Sequence, residues 1–244
     1  MQMSKVTLFV LIALFSIAQA AQVRFVHAIG NGPDVDVYFD NNLLFQNVPF
    51  GRVTNYVPVD PSVYDVTVVQ QNNGAVIFSV QLTVDNTGTE HFTTVAQGSL
   101  AVNDAFPFGL GVLEDNYDFS SNRCVFRVYH AAAGVAPISV SLNDTVATAN
   151  LAYSQVEDYQ NTVQGLYVVE VYDANNGQGY VNPIFVPFED ETIVNIFFIG
   201  VPNSNTDALT MVVSIDYEGP PALSSNSSIL AFSMLVLAVV ALLL

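Results

Sequence analysis

The sequence predicts an all-β chain of two tandem β-sandwich domains. Three observations carry this: short apolar runs that alternate from residue to residue, turn signals between those runs, and a match of the chain to itself at a fixed offset. Displaced by 103 positions, the chain of 244 residues pairs with itself without a gap over residues 23–74. Arg24, His27 and Ala28 fall on Arg127, His130 and Ala131; Asn47, Val53 and Tyr56 fall on Asn150, Val156 and Tyr159; Tyr64 falls on Tyr167, and Asn73-Gly74 on Asn176-Gly177. After a one-residue slip, Gly98 meets Gly200. The repeats are therefore placed at residues 21–115 and 123–218, with the polar, aperiodic residues 116–122 as linker.

Within each repeat the elements follow from pattern. Tyr64, Val66 and Val68 remain apolar in the second copy as Tyr167, Val169 and Val171, so that face points to a core. Val76, Phe78, Val80, Leu82 and Val84 alternate with Ile77, Ser79, Gln81 and Thr83 and are read the same way. Asp40-Asn41-Asn42 and Asn143-Asp144 accept the positive φ of tight hairpins, and Asn73-Gly74 and Asn176-Gly177 are strong turn signals. Tyr64 and Tyr167, each following a turn, match the tyrosine corner of immunoglobulin-like sandwiches.

The two ends assign a compartment. Residues 1–20 read as a cleaved signal peptide: Lys5, an apolar stretch over residues 6–17, then the small-x-small site Ala18-Gln19-Ala20. At the other end a polar stalk, residues 219–228, precedes the apolar residues 229–244. That tail carries no Lys or Arg, the pattern of a segment exchanged for glycosylphosphatidylinositol at Ser224, Ser225 or Asn226; the alternative is a tail retained as a membrane anchor. The expected location is the outer face of the plasma membrane.

Composition narrows the function classes. The whole chain carries a formal charge of −17, with five Lys and Arg against 22 Asp and Glu, a balance that repels nucleic acid and anionic lipid. Cys124 is the one cysteine, so no intramolecular disulfide forms and the fold rests on its core; its strand pattern with Phe126 and Val128 makes it a buried small hydrophobe, with intermolecular pairing as the alternative.

Residues 23–28 (Val-Arg-Phe-Val-His-Ala), 34–40 (Asp-Val-Asp-Val-Tyr-Phe-Asp) and 47–56 (Asn-Val-Pro-Phe-Gly-Arg-Val-Thr-Asn-Tyr) together resemble the domain-of-unknown-function family numbered 4397. The second copy keeps Arg127-Val128-Tyr129-His130-Ala131 but has Pro137-Ile138-Ser139-Val140 in place of the acidic strand. The resemblance implies secreted or surface proteins, often with tandem copies, and a β-sandwich fold. It brings no activity, cofactor or catalytic residue.

No catalytic constellation is found, and the chain is read as a non-enzyme that needs no cofactor. His27 and His130 share a strand face with Phe25 and Val128 and are expected to bond backbone at a sheet end; His91 has no counterpart. There is no His-Glu-x-x-His and no Gly-x-Ser-x-Gly. Asp34, Asp36 and Asp40 diverge along a strand, so Glu114, Asp115 and Asp118 at the domain junction are the candidate calcium ligands. Asn143-Asp144-Thr145 is an N-glycosylation acceptor at a hairpin tip; Asn226-Ser227-Ser228 overlaps the lipid-attachment region.

The expected function is surface binding: adhesion, ligand capture or a coat, with an extracellular protein or glycan as partner. Because a C-terminal anchor places the first repeat outermost, the loops at Asn31 and Phe50 are the candidate contact edges. The alternatives are a calcium-stiffened adhesion module and an extracellular carbohydrate-active hydrolase built on a carboxylate pair.

Overall fold

The computed structural model describes residues 20–85, 91–100, 106–115 and 124–217. The signal segment, the linker, the stalk with Ser224, Ser225 and Asn226, and the tail lie outside the described residues, as does Asp118. The described residues contain strands and no helix. The first repeat supplies β1 (Ala21–Gly30), β2 (Val35–Phe39), β3 (Asn42–Val48), β4 (Val57–Val59), β5 (Ser62–Gln70), β6 (Val76–Val84), β7 (His91–Ser99) and β8 (Gly109–Glu114). The second supplies β9 (Cys124–His130), β10 (Ile138–Leu142), β11 (Thr145–Leu151), β12 (Gln160–Thr162), β13 (Gly165–Asp173), β14 (Ile184–Phe188), β15 (Thr192–Ile199) and β16 (Thr210–Tyr217).

Each repeat is a sandwich of two four-stranded sheets: β4-β1-β7-β8 on β3-β2-β5-β6 in the first, β12-β9-β15-β16 on β11-β10-β13-β14 in the second. One core joins Phe25, Ile29, Val37, Val66, Val68 and Phe92; the other joins Phe126, Val128, Val140, Val169, Phe188 and Phe198. Cys124 lies in the second core, fully buried, its thiol donating to the Thr162 carbonyl at 3.4 Å. At the centre of one sheet of each repeat is a parallel pair, β1 with β7 and β9 with β15. These strands are buried almost throughout on both faces, because they also face the other repeat. Val26, Ala28, Val95 and Leu113 pack there against Tyr129, Ala131, Phe197 and Ile199. The molecule thus stacks four sheets, with the parallel pairs in the two inner ones.

Local chemistry sets the connections. Asp40, Asn143 and Asp144 adopt positive φ at the β2–β3 and β10–β11 hairpins, as do Gly74 and Gly177 at the later turns. The Tyr64 hydroxyl donates to the Asp60 carbonyl at 2.7 Å and that of Tyr167 to Val163 at 3.0 Å, each four residues back, which is the tyrosine-corner bond. Gly98 and Gly200 hold φ of 119° and 103°, and a Cβ at either would strike the backbone of Phe108 or Ala208.

One strand departs from its pattern. Leu82 and Val84 of β6 are buried, but Val76 is 62 % exposed while Ile77 packs on the core. The register shifts between Val68 (opposite Phe78) and Val69 (opposite Val76), and this bulge turns the strand end over.

Candidate functional site

The polar chemistry of the two repeats converges on the interface between the inner sheets. Along β1, Phe25 and His27 face the sandwich core, so Arg24, Val26 and Ala28 face the neighbouring repeat; Arg127 and Tyr129 do the same on β9. Each arginine is first fixed within its own repeat by the residue beside it on the parallel partner strand. Arg24 Nε donates to Thr93 Oγ1 at 2.7 Å, and Arg127 Nε to Asn195 Oδ1 at 2.6 Å. Each guanidinium lies over a tyrosine of its own repeat, Arg24 4.5 Å from the Tyr56 ring centre and Arg127 4.4 Å from that of Tyr159.

The outer ends of the guanidinium groups then cross the interface. Arg24 Nη1 donates to Asp216 Oδ1 at 2.7 Å and to Ser214 Oγ at 2.8 Å; Arg127 Nη2 pairs with Asp115 Oδ1, and its Nη1 donates to the Glu114 carbonyl at 2.8 Å. Asp115 and Asp216 occupy equivalent places beyond and along the edge strands β8 and β16, so the pairing is reciprocal. Asp115 Oδ2 also accepts from the Thr93 and Tyr56 hydroxyls and lies 4.0 Å from Arg24 Nη2. Burial disfavours charge on Arg24, but Tyr56, Asp216 and Asp115 outweigh it and raise its pKa; burial and then the Asp115 charge hold the Tyr56 hydroxyl protonated.

This geometry places two of the three expected calcium ligands, with Asp118 outside the described residues. Asp115 is 2 % exposed, and both its oxygens accept from protein donors; Glu114, next in sequence, is exposed on the opposite strand face. Alternation separates the two carboxylates instead of converging them, and the described residues hold no group of three acidic, histidine or cysteine side chains that could take a metal.

The two expected contact loops also touch the second repeat. Asn31 Oδ1 accepts from Ser204 Oγ of the second repeat at 2.7 Å, and Phe50 packs on the interface cluster beside Val53 and Val212. These loops are part of the junction because the repeats pack face to face rather than end to end.

The histidines are framework groups. His27 Nδ1 donates to the Val48 carbonyl at 3.0 Å with the Phe50 ring edge-on. His130 uses the other tautomer, Nε2 donating to Ala136 at 3.3 Å and Nδ1 accepting from the Ala132 amide at 3.3 Å. Burial lowers both pKa values, that of His130 to about 4. Beside the junction is a cleft of about 360 Å³ lined by Val112, Glu114, Arg127, Glu157, Asp158 and Tyr159.

The family model described as domain of unknown function (DUF4397) matches residues 21–122 and 125–229, and the chain belongs to that family as a tandem pair. No curated protein matches. Among solved structures, the chain is similar to the family 26 carbohydrate-binding module of Eubacterium rectale Amy13K in complex with maltoheptaose, at 10 % identity and TM-score 0.25 over 82 % of this chain and 98 % of that one. It is likewise similar to a candidate cell adhesion protein of Bacteroides uniformis, at 12 % identity and TM-score 0.23 over 81 % and 99 %. At these scores neither structure bears on function.

Proposed function

We propose that the chain is an extracellular binding protein displayed on the outer face of the plasma membrane, held there by a glycosylphosphatidylinositol lipid attached at Ser224, Ser225 or Asn226. It works by adhesion, ligand capture or coat formation, without catalysis. One observation carries the reading: the arginines shared by both repeats, Arg24 and Arg127, are buried in the junction, while the outer sheets β3-β2-β5-β6 and β11-β10-β13-β14 carry exposed apolar side chains such as Val63, Leu166 and Phe185. Contact with a partner then falls to the outer faces of those sheets and to the sheet edges.

The test is aggregation of beads coated with residues 22–222, in calcium and in chelator. Clumping in both indicates self-adhesion through the outer faces. Clumping in neither redirects the search to a heterologous protein or glycan, and release of the cell-surface protein by a phosphatidylinositol-specific phospholipase tests the anchor. The hydrolase reading rests on the carboxylates of Glu114, Glu157 and Asp158 around one cleft. It requires release of reducing sugar from a polysaccharide, abolished by Glu157→Gln.

A further inference from the structure

The outer faces of the two repeats differ at one equivalent place. In the first, β5 and β6 pair Val63 with Thr83, Asp65 with Gln81, and Thr67 with Ser79, the last two hydroxyls 2.9 Å apart. In the second, the same register pairs Leu166 with Pro187 and Val168 with Phe185. Leu166 is 62 % and Phe185 70 % exposed. Asp65, Gln81 and Thr83 of the first copy are thus replaced by Val168, Phe185 and Pro187 in the second, an apolar patch that continues Leu166 (Val63 in the first copy, itself exposed) and ends at Glu170 in the place of Thr67.

The adjoining hairpin differs as well. At its tip in the first repeat, Asp40 Oδ1 accepts from the Asp65 amide at 2.9 Å; in the second, Asn143 Oδ1 accepts from the Val168 amide at 2.8 Å. The turn needs only the acceptor oxygen, which aspartate supplies equally well. The asparagine adds an Nδ2 that donates to no protein group among the described residues, on an exposed side chain whose oxygen is pinned. Thr145, two residues on, completes the N-glycosylation acceptor, which Asp40-Asn41-Asn42 lacks. β13 and β14 are the next two strands from this tip, so Phe185 is about 10 Å away at ordinary strand spacing.

We infer that Asn143 carries an N-linked glycan whose first sugars lie across Leu166, Val168, Phe185 and Pro187. The amide nitrogen is the attachment atom, and the apolar faces of the sugar rings cover the patch in which Val168, Phe185 and Pro187 replace Asp65, Gln81 and Thr83 of the first repeat. The sequence acceptor, the pinned amide and the apolar patch all fall on the same repeat. The inference rests on secretion of the chain.

The test expresses the full chain in a glycosylating eukaryotic cell, labels it at the surface and digests it with peptide N-glycosidase. The wild type is expected to drop in mass on digestion, whereas Asn143→Asp and Thr145→Ala reach the surface already lacking that glycan. Asn143→Asp reproduces the first repeat's turn, so its folding is preserved. A surface-exposed Asn143→Asp protein with the wild-type mass overturns the site; absence from the surface overturns the secretion reading instead. For the cover, an apolar dye should brighten when the glycan is removed from the wild type and stay unchanged in Val168→Asp/Phe185→Gln. A glycan whose removal leaves the dye signal unmoved overturns the covering of the patch.

Discussion

Arg24 and Arg127, equivalent residues of the two repeats, each reach out of their own sandwich to a carboxylate of the other: Arg24 to Asp216 and Arg127 to Asp115. Two arginines and two aspartates balance in charge at an interface whose apolar part is built from Val, Ala, Leu, Ile, Phe and Tyr129. Desolvating such ions is costly, so the pairs specify how the repeats meet more than they add stability over an apolar contact.

Removing one member should therefore be severe. Asp115→Ala leaves Arg127 and Arg24 without their shared counter-ion and is expected to cost about 3–5 kcal/mol in urea denaturation. Asp115→Leu combined with Arg127→Met should recover much of that loss. Equal damage in the single and double variants would show that the charges do not interact.

Calcium should leave stability unchanged. With both Asp115 oxygens accepting from Arg127, Thr93 and Tyr56, the melting temperature is expected to be the same in calcium and in chelator. A rise with calcium would support the stiffened-junction reading.

Acid should destabilise the fold as pH falls below about 6.5. His130 is held neutral down to about pH 4, so the unfolded chain binds more protons below its ordinary pKa of about 6.5. Stability from this group is complete above that pH and falls as pH drops toward 4, by about 3 kcal/mol in all. His27, lowered by its own burial, adds in the same direction. His130→Gln should flatten the dependence of unfolding free energy on pH between about 6.5 and 4.5; an unaltered slope would assign the effect elsewhere.

Gly111→Ala tests the close approach of the repeats. A Cβ on this β8 residue would meet the Tyr129 ring and hydroxyl, which donates to Gln97 at 2.8 Å from across the interface. The expected loss is about 1–3 kcal/mol, as for overpacking a core. Gly109→Ala, on the same strand with open space around it, should be nearly silent in the same denaturation series.

The strands, hairpins and tyrosine corners were legible because each depends on neighbours within a few residues. Asp40, Asn143 and Gly74 announce positive φ by residue type alone. The bulge that exposes Val76 was not legible, since an extra residue leaves alternation intact on both sides of it. Nor was the junction. It has a signal in residues 23–29, which lack a solvent-facing polar alternation and carry an arginine repeated at 127 in a chain with few basic residues. A strand buried on both faces says that something covers the second face, but not what. Asn31 and Phe50 were expected on an outer edge for that reason: sequence orders the repeats along the chain and does not say whether they join by their ends or by their sheets.

The reciprocal junction also has a consequence for divergence between the copies. Two separate chains meeting in this way would part on dilution, whereas one chain holds its two halves at a fixed, high effective concentration. A pair of identical subunits, moreover, shows the same outer surface twice. Covalent union removes that constraint, so Asp65 and Gln81 can stand on one side of the molecule where Val168 and Phe185 stand on the other. The interface stays matched while the outward sides change independently, leaving one compact body with two unlike faces.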